Sequence, residues 1–214
     1  MNEEGASVRE MVVPIDSSNY RKHTSGNRLQ QALIDRFHRK IEERLEALAP
    51  ETMLDAGCGE GFVTHVVLGR LPEMKVTGCD LDPRAVALAA QANPGVGFAT
   101  ASLLALPFPD QAFDVVGCFE VLEHLPGSAP QQALRELARV ARRAVVLSVP
   151  HEPFFSTANL LRGKNLDVRP RGSDPDHRQF WSRRGLQELV AVSLDIEWLG
   201  GSFPWSICVG RPRQ

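Results

Sequence analysis

The stretch Asp55-Ala-Gly57-Cys-Gly59-Glu-Gly61 sets a carboxylate ahead of three glycines at alternate positions. Glycine gives up more conformational freedom on folding than any other residue, so such a cluster implies a hard turn or a ligand lying against bare backbone. Amide N–H groups at a turn of this kind can face that ligand. A dinucleotide-binding turn reads Gly-x-Gly-x-x-Gly, and counted from Gly57 its last glycine falls on Phe62. The pattern therefore disfavours a nicotinamide-dependent oxidoreductase. A second carboxylate, Asp80, closes the apolar run KVTGCD just ahead of Pro83. It can cap the helix that Pro83 opens, and it can also accept hydrogen bonds from a ligand. Glu120, Glu123 and His124 follow another apolar run in CFEVLEHL. If the chain turns helical there, these positions share one face. Glu123 and His124 can then be a structural pair, or His124 can act as a general base or as a donor that orients an acceptor, since neutral imidazole titrates in the right range.

Short apolar runs alternate with helical stretches around these residues. A stripe of Leu29, Leu33, Phe37, Ile41, Leu45 and Leu48 predicts an amphipathic helix. Strands are expected at 52–56, 75–80, 96–101, 113–119 and 144–149, with helices at 62–71, 83–92 and 130–143 between them. That alternation predicts an α/β fold with a mostly parallel sheet covered by helices on both faces. Ligands bind such sheets at the carboxyl ends of the strands, where Asp55, Asp80 and Glu120 fall. Residues 150–181 carry Pro150, Pro153, Pro170 and Pro175 and no sustained period, so an irregular insert is expected. Ser182 caps a further helix. Two strand-like runs joined at Gly200-Gly201 predict a closing antiparallel hairpin, which brings the sheet to seven strands.

The Gly-rich turn resembles the first motif of the class I S-adenosylmethionine-dependent methyltransferases. The resemblance continues at GCDLDP, at ASLLALPFPDQAFDVV and at CFEVLEHL, and so covers about residues 50–150. It implies the Rossmann-like class I methyltransferase fold. It also implies a cofactor site made of Asp55, Gly57, Gly59, Gly61, Asp80, Leu81, Ser102, Leu103 and Phe119. Asp80 would take the ribose hydroxyls, with Leu103 and Phe119 as walls. Ser102 stands where family members often carry Asp, which changes the adenine contact. On the acceptor side, FEVLEH together with His177 is similar to the metal site of small-RNA 3′-end 2′-O-methyltransferases, and similar Glu and His residues occur in ubiquinone-pathway O-methyltransferases. By that likeness Glu120, Glu123, His124 and His177 would hold a Mg²⁺-like ion that acidifies an acceptor hydroxyl.

The whole chain reads as a single methyltransferase domain, 1–214. Within it, 1–49 is an N-terminal helical cap, 50–149 the cofactor-binding core, 150–181 a lid insert, and 182–214 the C-terminal helix and hairpin. The function expected is S-adenosylmethionine-dependent O-methylation of a small molecule. An RNA 2′-O-methyltransferase and a non-catalytic cofactor-binding protein are the alternatives. A formal net charge of -2 excludes a general DNA-binding role and disfavours RNA. Arg162, Lys164, Arg169, Arg171, Arg178, Arg183 and Arg184 outnumber Asp167, Asp174 and Asp176 in and beside the insert, which suggests an anionic acceptor. Phe154, Phe155, Leu160 and Leu161 beside them allow a lipid-linked acceptor and peripheral contact with a membrane surface. No apolar run approaches the roughly 18 residues that a membrane-spanning helix needs. The acidic N-terminus lacks the core of a secretory leader. Cys58, Cys79, Cys118 and Cys208 sit in apolar runs and are expected as buried thiols, so a cytoplasmic location is expected.

Overall fold

The computed structural model describes residues 27–213 except 162, 164, 166, 169 and 170. The first part of the expected N-terminal cap, and Arg162, Lys164 and Arg169 of the basic cluster, therefore lie outside the described residues.

Helix α1 (Arg28–Leu48) starts where the Asn27 side chain accepts hydrogen bonds from the N–H groups of Leu29 and Gln30. It stops at Ala49, whose left-handed backbone returns its N–H to Leu45 and Glu46. Then follow β1 (Thr52–Ala56), α2 (Phe62–Arg70), β2 (Lys75–Asp80), α3 (Pro83–Ala92), β3 (Gly97–Thr100) and β4 (Phe113–Phe119). A 3₁₀ turn (Leu122–His124) leads to α4 (Ala129–Val140) and β5 (Ala141–Pro150). The chain closes with α5 (Phe154–Leu161), α6 (Arg183–Val190), β6 (Leu194–Ser202) and β7 (Trp205–Pro212).

These strands make one seven-stranded sheet in the order β3-β2-β1-β4-β5-β7-β6. Strands β1 to β5 pair in parallel, and β7 runs antiparallel between β5 and β6. Successive strand side chains point to opposite faces, which divides the core in two. Leu54, Val116 and Leu147 pack with α4 and α6 through Leu134, Leu137 and Leu186. Met53, Val115 and Val146 pack with Phe37, Ile41, Leu45 and Val67 of α1 and α2. Truncating any of these buried leucines to alanine costs about 2–5 kcal/mol. All four cysteines are buried free thiols, as their apolar surroundings predict.

The elements depart from the sequence pattern in three places. Residues 130–143 read as one helix, yet α4 stops at Val140 and β5 begins at Ala141. Arg142 there pairs with Asp114, whose carboxylate also accepts the N–H groups of Glu51 and Thr52, so it ties the start of β1 to β4 and β5. The insert holds a two-turn helix, α5, capped by Glu152, which accepts from the Ser156 N–H and hydroxyl. Eight residues are too few to display a helical period. The hairpin turns at Phe203-Pro204 rather than at Gly200-Gly201, which lie inside β6. A Cβ on Gly200 would meet the Trp198 ring, and one on Gly201 the Trp205 carbonyl oxygen at 2.7 Å, so these glycines serve close packing.

Candidate active site

The strand order reverses between β1 and β4, and the Gly-rich turn leaves β1 at that point. Gly57, Gly59 and Gly61 have φ of 81°, 52° and 80°, the left-handed region that only glycine enters at no steric cost. A Cβ on Gly57 would sit 2.5 Å from Val121, so the turn lies tight against the end of β4. Gly61 serves packing instead. Its carbonyl accepts from Asn93, and an added Cβ would lie 2.6 Å from Asn93 Nδ2 and 3.1 Å from Ala89 Cβ on α3.

Above the turn opens a cavity of about 1030 Å³. Its floor is formed by Asp55, Gly57, Cys58, Gly59, Asp80 and Phe119 at the carboxyl ends of β1, β2 and β4. The Asp80 carboxylate accepts from the Gly59 N–H through Oδ2 and from the Asp82 N–H through Oδ1, each at 2.9 Å. An ionised carboxylate has about four acceptor sites, so these bonds fix its orientation and leave one site on each oxygen for a vicinal diol. Asp82, rather than Asp80, caps α3 through the Arg84 N–H. Asp55 is buried and accepts from the Thr64 hydroxyl at 2.6 Å. Burial pushes its pKa up to about 6, with the Thr64 bond pulling down and the charge of Asp80 pushing further up. Burial also drives the Cys58 thiol well above its ordinary range, so it faces the cavity neutral and is no nucleophile.

Gly61, Leu81, Ser102 and Leu103 do not line this cavity among the described residues. Leu81 lies next to Asp80 with 71% of its surface exposed. The Ser102-Leu103 turn sits beside it, because the Ala101 N–H donates to the Asp80 carbonyl at 2.9 Å. The Ser102 hydroxyl accepts locally from the Leu104 N–H.

On the acceptor side, Glu120 does not share a helical face with Glu123 and His124. Its φ is 58°, and the turn that follows is 3₁₀ and spans only Leu122–His124. Buried Ser148 on β5 donates its hydroxyl to Glu120 Oε1 at 2.8 Å and holds that side chain at the cavity wall. Glu123, His124 and His177 do come together, with one ligand atom from each within 4.8 Å of the others. The imidazole rings of His124 and His177 meet edge to face at 5.0 Å between centroids. His124 Nδ1 lies 3.1 Å from the Asp176 carbonyl oxygen, which can only accept, so Nδ1 is the donor there, and in the neutral ring the lone pair falls on Nε2. Two imidazoles and one carboxylate fit a divalent ion as a donor set. They suit Mn²⁺, Fe²⁺ or Zn²⁺ better than Mg²⁺, which prefers oxygen ligands.

The remaining walls have no motif behind them. Leu29, Leu33, Ile34 and Phe37 come from α1, Phe155 and Asn159 from α5, and Phe203, Pro204 and Trp205 from the hairpin tip. The described basic residues Arg171, Arg178, Arg183 and Arg184 are exposed and do not line the cavity, so they lend the anionic acceptor no support. The insert contributes Asp174 and Asp176 to the wall instead. Ser148 was detectable in principle, as a lone hydroxyl in the apolar run AVVLSVP at a strand's carboxyl end. No helix among the described residues is long and apolar enough to cross a membrane.

A sheet of this order, with a glycine turn after its first strand and a fixed carboxylate ending its second, is a Rossmann-like nucleotide-binding arrangement, here with an antiparallel strand inserted between the last two. The methyltransferase-domain family model matches residues 54–149. A ubiquinone biosynthesis O-methyltransferase of Pseudomonas putida is 38% identical over 179 residues, covering 72% of each chain. A Mycobacterium tuberculosis protein named "Probable S-adenosylmethionine-dependent methyltransferase" is 36% identical over 138 residues. That match takes in 63% of this chain and 47% of the relative, so this chain spans about half that relative's length. Among solved structures, the magnesium protoporphyrin IX methyltransferase of Synechocystis with bound SAH aligns with a TM-score of 0.66 at 20% identity, covering 87% and 88% of the two chains. The methyltransferase domain of a bacterial CtHen1 aligns at 0.64 and 19%, covering 84% and 99%. The chain belongs to the S-adenosylmethionine-dependent methyltransferases.

Proposed function

We propose that the chain transfers the methyl group of S-adenosylmethionine to a hydroxyl oxygen of a small acceptor with an apolar body. The observation that carries this reading is the convergence of Glu123, His124 and His177 on a cavity whose far walls are the apolar faces of α1, Phe155 and the hairpin tip. The O-methyltransferase names of the Pseudomonas relatives support it.

Asp80 takes both ribose hydroxyls with its two remaining acceptor sites. Gly57 and Gly59 let the cofactor lie against backbone, and Phe119 lies beneath it. Leu81, exposed beside Asp80, covers the adenine next to the Ser102 turn, with buried Leu103 backing that turn from the core. In-line transfer forms a bond from the acceptor oxygen to the methyl carbon while the carbon–sulfur bond breaks with its pair going to sulfur. What the protein must add is alignment and removal of the hydroxyl proton. His124 holds its Nε2 lone pair in the cavity for that proton, kept in this tautomer by the Asp176 carbonyl. Where a divalent ion is held by Glu123, His177 and this same His124 nitrogen, the ion would supply the acidification of the acceptor hydroxyl, and His124 would serve as its ligand in place of the base. The segment 150–181 acts as the lid over this side.

Calorimetry with Mn²⁺, Zn²⁺ and Mg²⁺, combined with methyl transfer to alkyl-substituted phenols and catechols, tests the reading. Mn²⁺ or Zn²⁺ should bind more tightly than Mg²⁺, and a chelator should stop turnover while leaving SAH affinity intact. If a chelator does nothing and His124→Ala abolishes transfer, His124 acts as a base alone. If neither perturbation changes turnover, this assignment of the acceptor side is wrong.

A further inference from the structure

His177 reaches the site from a segment with no regular structure. Residues between Asp174 and Trp181 belong to neither helix nor ladder apart from one isolated bridge, His151 with Trp181. Something other than secondary structure must therefore fix where the imidazole stands. Its own turn, closed by the His177 N–H on the Asp174 carbonyl, sets only local shape. Ring contacts with Phe155 and Phe180, at 5.5 Å and 6.4 Å, are tilted packing that permits sliding.

Directional contacts flank His177 on both sides: the Asp176 carbonyl meets His124 Nδ1 one residue before it, and further bonds follow one and two residues after it. The Arg178 N–H donates to the Glu123 carbonyl at 2.7 Å, and the Gln179 N–H donates to the same oxygen at 3.0 Å. The Gln179 side chain then sends Nε2 to the carbonyls of Leu125 and Gly127, at 3.1 Å and 3.0 Å. Both protons of one primary amide are thereby spent on the loop that carries Glu123 and His124. Three bonds from one residue thus reach successive odd positions of that loop, Glu123, Leu125 and Gly127, and Gln179 itself follows His177 by two. We infer that Gln179 is a positioning residue: it staples the insert to the loop after β4 and so brings His177 to Glu123 and His124. The ion-binding part of this inference rests on the acceptor-side reading above; the staple itself does not.

The chemistry at this position is exacting. A carboxylate there would present oxygen to two carbonyl oxygens and repel them. Methionine fills the same space without a donor. Asparagine is one methylene short of both acceptors.

The test uses the full chain as wild type, Gln179→Met and Gln179→Glu. Hydrogen–deuterium exchange is read at residues 176–181 without ligand, alongside Mn²⁺ affinity, SAH affinity and the melting temperature. In the wild type the Arg178 and Gln179 amides should be protected, and in both variants they should exchange about tenfold faster or more. Mn²⁺ affinity should fall about 10- to 100-fold, as it does when a partner orienting a ligand is removed. SAH affinity should stay within about twofold, since Asp80 and the glycine turn are untouched. Unprotected amides in the wild type overturn the staple, even if neither variant folds. So do variants with unchanged exchange. Variants with fast exchange but undiminished Mn²⁺ affinity overturn the claim that the staple places His177. If the wild type takes up no Mn²⁺ or Zn²⁺, the ion reading falls, and the exchange rates alone decide the staple.

Discussion

Asp80→Ala is the sharpest probe of the cofactor cradle. The carboxylate is pinned on both oxygens by backbone N–H groups of Gly59 and Asp82, so it pays little further ordering entropy when a ligand arrives. In the proposed binding mode each ribose hydroxyl would donate to this charged group, a bond worth about 1.5–3 kcal/mol. Two of them amount to about 3–6 kcal/mol, or roughly 10²- to 10⁴-fold in affinity. Removing the side chain also frees the Gly59 N–H from its only side-chain acceptor in the described structure, which loosens the glycine turn and adds to the loss. Calorimetry with SAH on a variant whose melting temperature is close to that of the wild type measures the effect. A 2′-deoxy analogue of SAH closes the cycle: it should bind wild type weakly and lose much less than SAH on going to Asp80→Ala. A variant that binds SAH within about fivefold of wild type, or equal losses for both ligands, refutes the diol assignment.

Three further outcomes follow from the geometry. Asp55 has a folded-state pKa of about 6 against an ordinary 3.8, so its ionisation opposes folding; the cost is absent below about pH 4, grows towards pH 6 and is full above it, at about 3 kcal/mol. Asp55→Asn should therefore raise the melting temperature at pH 8 and not at pH 4, and thermal melts showing the same difference at both values reject the shift. Gly61→Ala should destabilise by about 2–4 kcal/mol, through a strained left-handed backbone and contact with Ala89 and Asn93. Denaturant titration reads it, and SAH affinity of the folded fraction should be unchanged. Leu33→Ala should raise the KM of an apolar acceptor by about 5- to 30-fold, from about 1–2 kcal/mol of lost apolar contact, with SAH affinity unmoved; a change confined to SAH would place α1 against the cofactor.

Much of the sheet was legible because β1, β2, β4 and β5 are buried on both faces and appear as short apolar runs between helical stretches. The turn after β1 was legible because a backbone that takes positive φ at Gly57, Gly59 and Gly61 constrains residue type locally. Glu120 leaves the expected helical face because its backbone turns left-handed and Ser148, on a different strand, holds its carboxylate; no local pattern encodes that bond. His177 is visible as a residue type and invisible as a neighbour, since the contacts fixing it involve Gln179 and carbonyls more than fifty positions away. The Gly200-Gly201 pair looked like a turn because glycine marks both turns and close approach, and only the ring of Trp198 tells the two apart.

The cavity draws its floor and its walls from different parts of the chain. The floor comes from residues 55–119, held by bonds such as Gly59 N–H to Asp80 and the Thr64 hydroxyl to Asp55. The walls come from α1, the insert and the hairpin tip, each attached to the sheet at a strand end or a terminus. Change in the walls need not disturb the floor. Such a scaffold can drift in what it accepts while keeping what it spends, through a few substitutions at Leu33, Phe155 or Phe203 or a new insert length. Descendants of one ancestor can in this way come to modify unrelated molecules with the same donor.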